Sequence, residues 1–131
     1  MFKNLFLAIL LIFPITANAH SPLASSFPQS GEKLNVPPAE IIMVFKSSAK
    51  LIKISLSALS EKQRKSPLGK LFGNYDREPI ALDTSPLMKI RKRHIISLPL
   101  LGSGKYLFAW RAMGEDGHVI KGELNFNIVG V

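Results

Sequence analysis

The sequence predicts an all-β domain, an antiparallel β-sandwich or barrel, and three observations carry that prediction. Apolar residues recur with a period of two wherever a clear period exists, as in Leu51 to Leu59, which is what half-buried strands require. Turn-forming Gly, Pro, Asn, Asp and Ser separate these stretches at short intervals. No long helix is legible: across Ser60 to Lys92, Pro67, Gly69, Gly73, Pro79 and Pro86 interrupt every helical candidate longer than two turns.

In chain order, Lys3 precedes the apolar run Leu5 to Ile15, and Ala17-Asn18-Ala19 supplies the small-x-small pattern that signal peptidase accepts. The run is too short to span a bilayer as a helix and carries Pro14 near its end. Residues 1–19 therefore read as a cleaved secretory signal rather than a retained anchor, and 20–131 as a single domain. Cleavage after Ala19 exposes the α-amino group of His20. His20 to Pro38 contains Pro22, Pro28, Pro37 and Pro38, so it reads as an extended edge strand and turns, with Leu23 and Phe27 as its anchors. Pro28-Gln29-Ser30-Gly31 is the turn within it.

Glu40 to Phe45 and Leu51 to Leu59 are two strand candidates, joined by the polar link Lys46 to Lys50. Ser60 to Lys92 reads as a surface excursion with a short strand near Pro79 to Leu82. His94 to Leu98 returns to strand character, and Gly102 and Gly104 mark a turn. Tyr106 to Met113 and Val119 to Ile128 are the last two strands, with Trp110 as a core residue. That makes about seven short strands.

The chain has no cysteine, so neither disulfides nor thiolate metal sites are available, and a small exported domain of this kind is held by packing alone. The formal net charge is +8, and it falls to +7 once the leader carrying Lys3 is removed. Much of the excess lies in Lys62-Arg64-Lys65 and Lys89-Arg91-Lys92-Arg93. These read as solvated faces, with an anionic membrane surface or an acidic partner as the functional alternative. Export, and the lack of aromatic residues interleaved with the basic runs, argue against nucleic acid.

Asp116-Gly117-His118 sits between the last two strands. Taken alone, it is an ordinary hairpin turn followed by a solvent-facing histidine. An N-terminal His20 changes its weight. One such residue offers an amine and an imidazole nitrogen, which close a chelate ring; His118 adds a third nitrogen and Asp116 an oxygen. A nitrogen-rich set with one hard oxygen suits tetragonal Cu(II). Zinc can use the same groups but prefers a tetrahedron, and calcium and magnesium want more oxygens than are offered.

At this point the sequence resembles a known family, the CopC family of periplasmic copper-resistance proteins. The mature start, His20-Ser21-Pro22-Leu23-Ala24-Ser25-Ser26-Phe27-Pro28-Gln29-Ser30-Gly31, follows the family's H-A-x-L-x-x-S-x-P-x-x-G except at its second position. Gly104, Tyr106, Trp110, Arg111, Asp116, Gly117, His118, Gly122 and Phe126 fall in register with the family's closing motif, while Phe108 and Gly114 depart from it. The likeness is weak over 59–92. It implies a seven-stranded antiparallel Greek-key β-sandwich, Ig-like or cupredoxin-like in shape. It also implies periplasmic Cu(II) held by His20, Asp116 and His118, and delivery to an inner-membrane copper transporter of the CopD type. Ser47 stands near where many members carry a glutamate. Met43, Met88 and Met113 are widely spaced and read as core packing, so no Cu(I) site is expected. His94 matches no family ligand and reads as a surface residue.

Two competing functions remain at this level. A copper mono-oxygenase acting on polysaccharides also uses an N-terminal histidine chelate, but Asp116 fills a position that oxygen activation keeps open, and no flat aromatic surface is evident. The other is an Ig-like module that binds no metal.

Overall fold

A computed structural model describes residues 23–60 and 76–130. Its organising element is one strand, β3 (Glu40–Ser60), to which most of the others pair. The remaining strands are β1 (Leu23–Phe27), β2 (Glu32–Leu34), β4 (Asp76–Ile80), β5 (Ile90–Ser97), β6 (Gly104–Gly114) and β7 (Val119–Ile128). Among the described residues the expected total of seven holds by compensation. The single edge strand expected over 20–38 divides into β1 and β2 around the 28–31 turn, and the two strands expected either side of Lys46 to Lys50 are one.

That fusion has a local cause. Lys46-Ser47-Ser48-Ala49-Lys50 contains neither Gly nor Pro, so nothing forces the chain out of extended geometry. Both edges of β3 are used, and each changes partner along its length. One edge carries β5 and then β4; the other carries β1 and then β6. The N-terminal half of β3 thus belongs with β1 and β5, while the C-terminal half joins the five strands β4-β3-β6-β7-β2.

Two irregularities let one strand serve both groups. Against β5, Val44 faces Arg93 and the next partner pair is Ala49 with Arg91, so β3 bows outward between them. Against β6, the register shifts between Leu51 and Lys53, leaving Ile52 in a bulge. One inserted residue moves every later side chain to the opposite face. Accordingly the inward residues are Ile41, Met43, Phe45, Ala49 and Leu51 before the bulge, and Ile54, Leu56 and Ala58 after it.

The core lies between the two groups of strands. Phe45 meets the Trp110 ring edge-on at 5.3 Å between centroids, and Tyr106 stacks on Phe126 at 5.5 Å. The Tyr106 hydroxyl donates to the Gly102 carbonyl at 2.8 Å, tying the start of β6 to the turn before it, a lock of the kind found at corners of β-sandwiches. Gly122 faces Trp110 across the β6–β7 pair, where a Cβ would lie 2.5 Å from the ring atom Cζ2; the indole occupies the space a side chain would need.

Several expectations need correction. The pairing is mixed rather than wholly antiparallel, because β2 runs parallel to β7. Phe27 is 42% exposed, and Pro28 beside it is the buried residue. The strand expected over Pro79 to Leu82 exists but spans Asp76–Ile80, pairing with the end of β3. Met43 is in the core as expected, yet Met88 is 61% exposed, at a positive φ that turns the chain before β5.

The largest correction concerns His94, which is buried in the core rather than on the surface. Its position opposite Met43 points it inward where β3 bows away from β5. Its Nε2 lies 2.9 Å from the Ala49 carbonyl and 2.8 Å from the Arg91 carbonyl. Carbonyls only accept, so Nε2 carries a proton and donates to both. Nδ1 is buried with no hydrogen-bond partner among the described residues.

Candidate metal centre

The β6–β7 hairpin builds the part of the site that is described. Its last ladder pair is Met113 with Val119, and the Gly114 N–H donates to the His118 carbonyl at 3.0 Å. The Gly117 N–H donates back to the Gly114 carbonyl at 3.0 Å, closing a tight turn. Gly117 then takes φ +83°, the left-handed conformation that three-residue hairpin loops place after the turn. The Asp-Gly signal in the sequence is therefore answered by the geometry it predicts.

Within this turn Asp116 and His118 are brought together. The Asp116 carboxylate accepts the His118 backbone N–H at 3.0 Å on Oδ1, and its Oδ2 lies 2.7 Å from His118 Nδ1. Both side chains are exposed. The His118 ring, then its backbone N–H, holds the Asp116 carboxyl below the usual carboxylate range. Hydrogen bonding to the carboxylate, reinforced by its charge, raises the imidazole above its ordinary value. With Nδ1 engaged, Nε2 faces solvent. The carboxylate keeps acceptor capacity beyond the two bonds it makes.

A carboxylate that orients an imidazole, with the other ring nitrogen open, is a half-built metal site. Among the described residues no group of three or more His, Cys, Asp or Glu gathers around it. His20 lies outside the described residues, as do residues 1–22 in general, so the expected leader and its cleavage site lie there too. Ser47, which stands near a glutamate position in the family motif, is exposed on the bow of β3. His94 belongs to the core and is absent from this cluster. The signal that could have found it is parity, since it sits two residues before the buried Ile96.

Fold and turn together define a small all-β protein whose hairpin tip presents a carboxylate–imidazole pair to solvent. The chain belongs to the CopC family: the CopC domain model matches residues 23–129. Among solved structures, PcoC from Escherichia coli, described as a methionine-rich copper resistance protein, is 24% identical with a TM-score of 0.58, covering 81% of this chain and 95% of its own. Its selenomethionine form gives a TM-score of 0.57 at 24% identity, over 81% of this chain and 97% of that one. CopC from Methylosinus trichosporium OB3b is 19% identical with a TM-score of 0.52, over 83% and 93%. A search of curated proteins returns no match.

Proposed function

We propose that this protein is a periplasmic Cu(II)-binding protein that sequesters or delivers copper in copper homeostasis and resistance. The ion is held by the amine and imidazole of an N-terminal His20, by Asp116 and by His118. Membership of the CopC family supports copper as the cargo. The observation that carries the ligand set is one of register.

Strands β1 and β6 lie end to end on the same edge of β3. Leu23 sits opposite Phe45 and Gly114 opposite Ala49, four residues further on, about 13 Å of strand. Because β1 is antiparallel to β3, its first residue, Leu23, is the end of β1 nearer Gly114 and the turn. His20 is three residues upstream of Leu23, a reach of about 10 Å. The imidazole and amine thus have the length needed to meet Asp116 and His118.

The role is binding rather than catalysis, since a coordinated Asp116 would close the position that oxygen activation needs. Delivery to an inner-membrane transporter of the CopD type fits a cargo held at an exposed turn. The experiment is to place one extra residue ahead of His20 in the exported protein and titrate Cu(II) against a competing chelator. The expected loss of affinity exceeds the roughly 10–100-fold typical of removing an outer-shell partner. Unchanged affinity shows that the amine is not a ligand and overturns the proposal. Intact mass of the exported chain, before and after Cu(II), establishes where it starts and how many ions it takes.

A further inference from the structure

One basic feature of the fold does not lie in the basic runs of the sequence. Across the five strands β4-β3-β6-β7-β2, register aligns cations that are far apart in the chain. Lys53 faces Arg111, and Arg111 faces Lys121, on three adjacent strands. Six residues along β3, a second row runs Arg77, Leu59, Lys105, Asn127, Lys33 across all five. Residues directly opposite in register share a face, and the alternating residues of β6 on the other face, Tyr106, Phe108, Trp110 and Ala112, are buried. Both rows therefore lie on the outside of the sheet, and all six cations are exposed.

The two rows sit about 20 Å apart and the longer is about 19 Å wide, so the charge covers a broad plane. Glu123 is the acid on that plane among the described residues, and no carboxylate of another described residue lies within ion-pair distance of the six cations. Like charges directly opposed on a sheet are destabilising, so packing does not explain the Lys53-Arg111-Lys121 row. The plane is open: a shallow depression of about 450 Å³ lies over Lys53, Ser55, Ala109, Arg111, Lys121 and Glu123. Its centre holds Ser55, Ser57, Leu107 and Ala109; Trp110 borders the depression but is only 3% exposed, so the face presents no aromatic anchor of the kind that the middle of a protein–protein interface favours.

We propose that this outer sheet face docks on an anionic lipid surface. A plane of dispersed cations with no aromatic anchor at its centre matches a layer of headgroup phosphates, which supplies negative charge everywhere and demands no shape. The Gly114–His118 turn lies at the end of the β6–β7 hairpin, at the margin of that plane, and so stays uncovered when the face is engaged. The attraction does not depend on copper, so the metal-free protein tests it and its failure would leave the metal proposal standing.

The test is flotation of the exported, metal-free protein with vesicles of phosphatidylglycerol and phosphatidylcholine, against vesicles of phosphatidylcholine alone. Binding to the anionic vesicles is expected, weakening steeply as salt rises. The triple variant Lys53→Gln, Arg111→Gln, Lys121→Gln should lose roughly a hundredfold in partitioning. A variant losing equal charge elsewhere, Lys89→Gln, Arg91→Gln, Lys92→Gln, should stay within a few-fold of the parent. Removing opposed cations relieves repulsion, so the face variant should fold; a blue-shifted Trp110 emission checks it. Should it fail, Lys33→Gln, Arg77→Gln, Lys105→Gln on the second row takes its place. Equal partitioning to both vesicle types, or an equal loss in the Lys89, Arg91, Lys92 variant, overturns the proposal.

Discussion

At the scale of single residues, Asp116 and His118 set each other's proton affinity through one 2.7 Å contact and one backbone bond. The signs are opposite. The contribution of His118, raised above 6.5, is fully present below that value and is lost as pH rises through its folded midpoint. That of Asp116, lowered below 3.8, is present above that value and is lost as pH falls through its folded midpoint. The charged pair therefore persists between the two, while full exposure to solvent keeps its weight in stability small. An NMR titration of the metal-free protein should place the His118 midpoint above 6.5, and Asp116→Asn should return it toward that value. A midpoint that ignores the substitution means the contact is not formed in solution. Acidification should also release bound Cu(II), because protons compete for the same nitrogens; tight binding at pH 4 would contradict the ligand set. Gly122 is a second residue whose identity is dictated. Gly122→Ala drives a Cβ into the Trp110 ring and should cost about 1–3 kcal/mol in urea unfolding. Gly102→Ala, which meets no atom within 4 Å, should stay within about 0.5 kcal/mol.

At the scale of elements, β3 is where local reading and structure part. The polar link Lys46 to Lys50 reads as a break between two strands, yet it is the bow of a continuous strand, and His94 from β5 fills the gap beneath it. Its Nε2–H joins the Ala49 and Arg91 carbonyls, so one side chain replaces ladder bonds that the bow breaks. His94→Ala leaves a cavity and two carbonyls without this donor and should cost about 2–4 kcal/mol. Hydrogen exchange supplies the finer check: amides of β5 should exchange faster in the variant, and β7 should be spared. Tyr106→Phe removes the bond to Gly102 and should cost about 1 kcal/mol, read in the same urea experiment.

For the molecule as a whole, the hairpin turn, the two long C-terminal strands, the Trp110 core position and the placing of Asp116 and His118 in one turn were all legible. Each depends on neighbours within a few residues, where periodicity and turn chemistry speak directly. Phe27 and Pro28 exchanged roles because which of two adjacent residues is buried depends on the strand opposite. The charged face was missed for a related reason. Counting cations along the chain finds Lys89 to Arg93, whereas Lys53, Arg111 and Lys121 meet only through pairing across three strands. Salt should therefore weaken vesicle binding through the sheet face rather than through the densest basic run.

The amino-acid order alone determined a β class of about seven strands, the Asp-Gly turn, and the kinds of donor the chain can offer a metal. Tertiary structure alone decided that β3 is unbroken, that β2 runs parallel to β7, that His94 is interior, and that six scattered cations share a plane. The division is physical. Strand period and turn preference are properties of a few consecutive residues, but a one-residue bulge at Ile52 or a shift of partner on an edge reassigns every face beyond it, and no local pattern records that choice.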